Sequence, residues 1–176
     1  DMVERLDEIG GPNHYNNYPW GWAQAGNTPL RFYKQNTYEG GIRDPLIIHW
    51  PNGIDDPGGI RDQYHHVIDV MPTILDVVGV VPPENFRGVE QQPVEGTSMR
   101  YTFPSNAVDV ATARPKQYYE MMGHRAIWSD GWKAVTMHRK GEAFEDEEWA
   151  LYNTEKDFSE CHDLSSDEPE KLKEMV

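Results

Sequence analysis

The run Pro45-Leu46-Ile47-Ile48-His49-Trp50-Pro51 constrains the fold of this chain more than any other segment. It is short, apolar and rich in branched side chains, it is closed by proline at both ends, and it lacks the alternation of a strand with one wet face. Such a run predicts a strand buried on both faces, as in a parallel sheet. The next periodic element is a helix. Asp69 is placed to cap it, Val70, Ile74, Val77 and Val78 share one face, Pro72 sits in the first turn where its missing N–H is tolerated, and Gly79 supplies a left-handed terminator. Residues 51–61 between the two elements are turn-rich.

After Pro115 the pattern becomes antiparallel. Residues 118–128 and 132–138 are aromatic and β-branched runs joined through Ser129-Asp130-Gly131, where Asp-Gly favours the positive φ angles of a tight hairpin. Residues 149–153 suit a third strand, and a charged helix is expected from Pro169. Before the apolar run, residues 1–27 are rich in Gly, Asn, Pro and aromatics and read as an ordered surface loop. Residues 82–115, with scattered Pro, Gly and Ser, read as a long connector. The fold class that follows is α/β: part of a larger sheet, then a small antiparallel α+β layer.

Composition narrows the function. The 176 residues carry a formal charge of −14, and from Lys140 onward 13 acids face 4 bases, so much of the acidity sits in the tail. Phosphate neutralisation needs clustered Lys and Arg, so nucleic acid is not expected as a partner. No apolar run approaches the length a bilayer needs, so no membrane partner is expected either. The single cysteine cannot form an internal disulfide or alone build a zinc site, and the compartment stays open. Asp1-Met2-Val3 resembles neither an initiator methionine nor a signal sequence, and the chain reads as the middle of a longer one.

Lys34 lies five residues before Glu39-Gly40-Gly41, so a flexible ammonium stands just ahead of a turn whose glycines let backbone approach closely. Such a lysine can hold an anionic group as a point charge, although an isolated lysine near Gly-Gly is most often a solvated surface group. The whole string, residues 34–45, resembles the K-x-x-x-x-E-G-G-x-R-x-P segment of the type I sulfatases, bacterial arylsulfatases above all. Three further matches follow in the family's order. Asp69 to Asp76 resembles its D-x-x-P-T-L-L-D helix, Arg125-Ala126 with Gly131-Trp132-Lys133 its R-A-x…G-x-W-K hairpin, and Leu151-Tyr152 through Asp163-Leu164 its L-Y-x-L…D-L tail.

The resemblance implies the C-terminal part of a sheet domain related to alkaline phosphatase, over residues 1–115, and a smaller antiparallel subdomain over residues 116–176. It implies hydrolysis of sulfate esters by the parent chain, acting on a small sulfate-ester substrate. It also implies calcium and a formylglycine made from the Cys or Ser of a C/S-x-P-x-R motif as the family's cofactor and modified residue. Residue by residue, only Lys34 carries over as catalytic, matching the family's lysine that touches the sulfate. No C/S-x-P-x-R occurs here, and Cys161, followed by His162-Asp163-Leu164, falls in the tail motif. Nor do the family's metal-binding Asp and Asn motifs occur. Calcium ligands and the nucleophile are therefore expected outside these residues, and the isolated chain is expected to be inactive.

The remaining candidates have quieter readings. Glu39 and Arg43 can ion-pair to brace the Gly40-Gly41 turn, because a carboxylate touching a sulfate would repel it. His14, in the aromatic loop, is a candidate for lining the cleft. His65-His66 could face a substrate but suits a structural role, and residues 145–148 are acidic in the manner of a solvated loop. Trp128 and Trp132 read as cross-strand packing, and Cys161 as a partly buried small side chain. A phosphonate or phosphodiester hydrolase of the same superfamily is the enzymatic alternative, and a non-catalytic binding module the other.

Overall fold

Two tight turns set the sheet at the C-terminal end. Asp130 and Gly131 take φ angles of +46° and +78°, the geometry that brings β4 (His124–Ser129) back as β5 (Trp132–Thr136). Met122 and Gly123 do the same at +56° and +87° between β3 (Lys116–Met121) and β4, so the 118–128 run is two strands rather than one. β6 (Ala150–Asn153) completes a sheet of order β3-β4-β5-β6. The computed structural model describes residues 3–13 and 17–176.

Register places this sheet between two apolar layers. Ala126 opposite Val135, and Lys133 opposite Tyr152, share one face; Ile127 opposite Ala134, and Ala134 opposite Leu151, share the other. The first face packs on Tyr38 and Phe32, the second on Met175, Leu172 and Leu164 around α4 (Pro169–Met175). β5 and β6 therefore bury both odd and even residues, which explains why 132–136 shows no polar–apolar alternation. Trp128 stands opposite Lys133 and Trp132 opposite Ser129, on opposite faces, so the two tryptophans are not the cross-strand pair expected from their spacing.

The chain divides into two compact units, Asp1–Asp44 with Tyr118–Val176, and Pro45–Gln117. Residues up to 44 thus group with the four-stranded sheet. The stretch read as a loop also contains a helix, α1 (Trp20–Asn27), which leaves Trp20 and Trp22 exposed. Gly21 and Gly26 depress the helical signal there.

In the Pro45–Gln117 unit, α3 runs Val70–Val78 and ends on Gly79 at φ +69°. Asp69 does not cap α3 with its side chain; its carboxylate accepts from the backbone N–H groups of His66 and Thr97 and from Arg114. The buried side of α3 is marked by Thr73, whose hydroxyl donates to Asp69 O and accepts from Met99 N–H, while Ile74 and Val78 are exposed. Leu46–Trp50 forms no ladder, and Ile47 is 91% exposed. A strand of this composition needs neighbours on both edges and both faces, and none is paired with it among the described residues. The connector carries a short hairpin, β1 (Asn85–Phe86) with β2 (Val89–Glu90), and a 3-10 turn at Met99–Thr102 that buries Met99 and Thr102.

Candidate functional site

Glu39, Gly40 and Gly41 open a single helical turn, α2 (Glu39–Ile42), and the preceding loop folds over it. Gly40 N–H donates to Arg31 O at 2.9 Å, and Asn27 Nδ2 holds Phe32 O and Gly40 O at 2.8 and 2.6 Å. A Cβ at Gly40 would overlap the carbonyl oxygens of Arg31 and Phe32, and one at Gly41 would overlap Asn36 O. Both glycines are therefore required by close approach of backbone rather than by φ. The loop is shaped further by Phe32 and Gln35 at φ +60° and +74°, and by Asn36, whose N–H donates to Tyr33 O and whose Oδ1 accepts from Tyr38 N–H.

Lys34 rides on this loop. It is exposed, and among the described residues it makes no hydrogen bond or ion pair. The structure does not bring its ammonium onto Glu39 or Arg43, which belong to a different cluster behind the loop. His14 lies outside the described residues.

That cluster is charged and dry. Lys133 Nζ, on β5, lies 3.0 Å from Glu39 Oε1 and 2.8 Å from Glu160 Oε1, with the Lys133 and Glu160 side chains both wholly excluded from solvent. Glu39 N–H donates to Glu160 Oε2 at 2.7 Å, so a carboxylate from the loop after β6 caps the first residue of α2. Arg43 Nη1 reaches Glu39 Oε2 at 3.3 Å from the solvent side. Arg31 stacks 4.5 Å over the Tyr38 ring and donates to Tyr152 OH and to Glu160 O. Burial pushes the Glu160 carboxyl above the ordinary carboxylate range, and Lys133 and the Glu39 N–H only partly offset it. Burial likewise raises the Tyr38 and Tyr152 hydroxyls above the ordinary phenol value.

Sequence reading missed Lys133, Glu160 and Arg31. Lys133 carried a usable signal, since it shares the inward register of Val135 two residues on. Glu160 carried none, sitting in a turn at φ +55° that no local pattern announces.

The other candidates take structural places. His65 lies 3.9 Å from Asp69 and His66 caps the 3-10 turn at Val67–Asp69; burial lowers both imidazoles, which favours their neutral forms. In the acidic stretch Glu147 turns inward to Arg125 and His138, each at 2.6 Å, while Glu145, Asp146 and Glu148 are exposed. Cys161 is exposed rather than partly buried. Among the described residues no group of three His, Cys, Asp or Glu side chains is placed to hold a metal ion. No described helix is long and apolar enough to cross a membrane. Chemically, the site offers an ammonium that is unpaired among the described residues, on a backbone-locked loop, and a buried charge cluster.

Comparison with known proteins assigns the architecture. Residues 30–175 match the C-terminal family model of N-sulphoglucosamine sulphohydrolase. The chain is 32% identical over 172 residues to a sulfatase of Schizosaccharomyces pombe, covering 97% of this chain and 30% of that protein. It is 28% identical to arylsulfatase K of Xenopus laevis, covering 82% of this chain and 26% of that one. Among solved structures, Ps i-CgsB superposes with a TM-score of 0.64 at 28% identity, over 85% of this chain and 30% of that chain. The chain thus spans less than a third of the length of each of these relatives. The matched region contains both the diglycine turn and the Lys133–Glu160 cluster, and the chain belongs to the sulfatase family, matching its C-terminal portion.

Proposed function

We propose that the protein carrying this chain hydrolyses sulfate esters, and that the Lys34 ammonium meets the sulfate group of a small sulfate-ester substrate. One observation carries this reading. The lysine that matches the family's sulfate-touching position keeps its charge uncommitted among the described residues, on a loop fixed by two glycines that tolerate no side chain. A positioned cation of this kind stabilises charge on the sulfate oxygens as the ester bond breaks. Glu39 and Arg43 stay behind the loop, where the carboxylate does not repel the anion.

In this reading the calcium ligands and the formylglycine belong to parts of the protein outside these 176 residues. Leu46–Trp50 gains its ladder from strands elsewhere in the protein. The relatives include arylsulfatase K and N-acetylgalactosamine-6-sulfatases, so aryl and amino-sugar sulfates are the first substrates to try.

The test is ester hydrolysis by the full-length protein, comparing aryl sulfate with aryl phosphate. A sulfate monoester is singly charged and a phosphate monoester nearly doubly charged at neutral pH, so the two report the charge the site is built for. Release of inorganic sulfate at the higher kcat/KM supports the reading; preference for the phosphate ester contradicts it.

A further inference from the structure

We infer that Lys133 is a positioning residue for Lys34, acting through Glu39 and the diglycine turn rather than on substrate. The inference rests on the reading that Lys34 meets the anion, and it gives a job to a buried group which that reading leaves unused.

A lysine and two carboxylates sealed from water are an expensive way to fill a core. The desolvation penalty can exceed the Coulombic gain, and apolar residues of similar volume often serve stability as well or better. What ion pairing adds is a fixed geometry. Lys133 Nζ and Glu160 together hold residue 39 by its side chain and by its backbone N–H, at 3.0 and 2.7 Å. Residue 39 is the first of α2, and the next two residues are the glycines on which the 31–36 loop rests, through Gly40 N–H to Arg31 O and the contact of Gly41 with Asn36. Lys34 has no polar contact of its own among the described residues to fix it, so the path of that loop sets where its ammonium begins. The chain of contacts from Lys133 to Lys34 is therefore continuous, and it lies wholly within the unit formed by Asp1–Asp44 and Tyr118–Val176.

The experiment is a double-mutant cycle in the full-length protein, read as kcat/KM for a sulfate monoester per folded enzyme. Lys133→Met keeps the length of the side chain and removes its charge. It is expected to lower kcat/KM by about 10-fold to 10²-fold, the scale of a small misplacement of a catalytic group. On a Lys34→Ala background the same substitution is expected to cost less than about 3-fold, because a residue that acts through Lys34 has nothing left to position. Arg114→Met breaks a different buried ion pair, in the Pro45–Gln117 unit, and serves as the control: its loss, whatever its size, is expected to add to that of Lys34→Ala.

Where Lys133→Met fails to accumulate as folded protein, Glu160→Gln is read in the same cycle. It keeps the shape and the acceptor for Glu39 N–H. Additive losses for the Lys133 or Glu160 variant with Lys34→Ala overturn the positioning role and leave the anion contact standing. An unchanged kcat/KM in Lys34→Ala alone overturns the anion contact, and the positioning role with it.

Discussion

The carbonyl oxygen of Asn36 occupies the space that a Cβ on Gly41 would need. Gly41→Ala therefore has to push the 33–36 backbone away from α2, at a cost of about 1–3 kcal/mol, the usual range for overpacking. Because that backbone carries Lys34, the variant should lose sulfate-ester hydrolysis more than it loses stability. Thermal unfolding and kcat/KM measured on the same full-length preparation separate the two, and full activity with the loop intact would contradict the close packing.

Breaking the Asp69–Arg114 pair should destabilise the protein by about 3–5 kcal/mol, since it leaves a carboxylate unpaired in a buried place. The pH dependence follows from the same contact. Burial pushes the Asp69 carboxyl up, but Arg114 and the N–H groups of Thr97 and His66 outweigh it and hold it below its ordinary 3.8. Its contribution is thus fully present above that value and is lost as pH falls through the lower, folded-state pKa. Arg114→Met removes the largest of these lowering contacts and leaves the two N–H groups, so the gap in thermal midpoint between wild type and variant should narrow as pH falls below 3.8; a gap that stays constant through that range in a pH series would contradict this.

Glu160 has the opposite sign. Its carboxyl is raised above its ordinary 4.5 by burial, so its contribution is present below that value and is lost as pH rises through the folded-state pKa. Glu160→Gln, permanently uncharged, should remove this dependence, so that the difference in thermal midpoint between variant and wild type shifts in favour of the variant as pH rises above 4.5. A difference that stays constant across that window would show that Glu160 titrates normally.

How far the sequence could be read depended on whether a signal was local. The Asp130-Gly131 turn, the helix ending on Gly79 and the helix from Pro169 were all legible, because each is specified by residues adjacent to it. Leu46–Trp50 was not, since its composition describes the environment of a strand whose partners are absent from the described residues. The turn at Met122-Gly123 was hidden because methionine gives no positive-φ signal. At the candidate site Lys34, Glu39 and the glycines lie within one motif. The cluster behind them joins residues 39, 133 and 160, and long-range pairing of that sort leaves no periodic trace.

The isolated 176-residue chain should self-associate. Ile47, Val67, Ile74, Val78 and Val81 are all more than half exposed, and apolar side chains left in water favour association. Light scattering and dye binding at micromolar concentration are the readouts, and a monomer that unfolds in one cooperative step would contradict the expectation.

The central claim is the meeting of Lys34 with sulfate, and Lys34→Ala in the full-length enzyme measures it most directly. Turnover of a sulfate monoester is expected to fall by about 10²-fold or more, the scale seen when one oxyanion-type donor is lost, with the thermal midpoint unchanged because the side chain makes no hydrogen bond or ion pair among the described residues. Turnover equal to that of the wild type would contradict the claim.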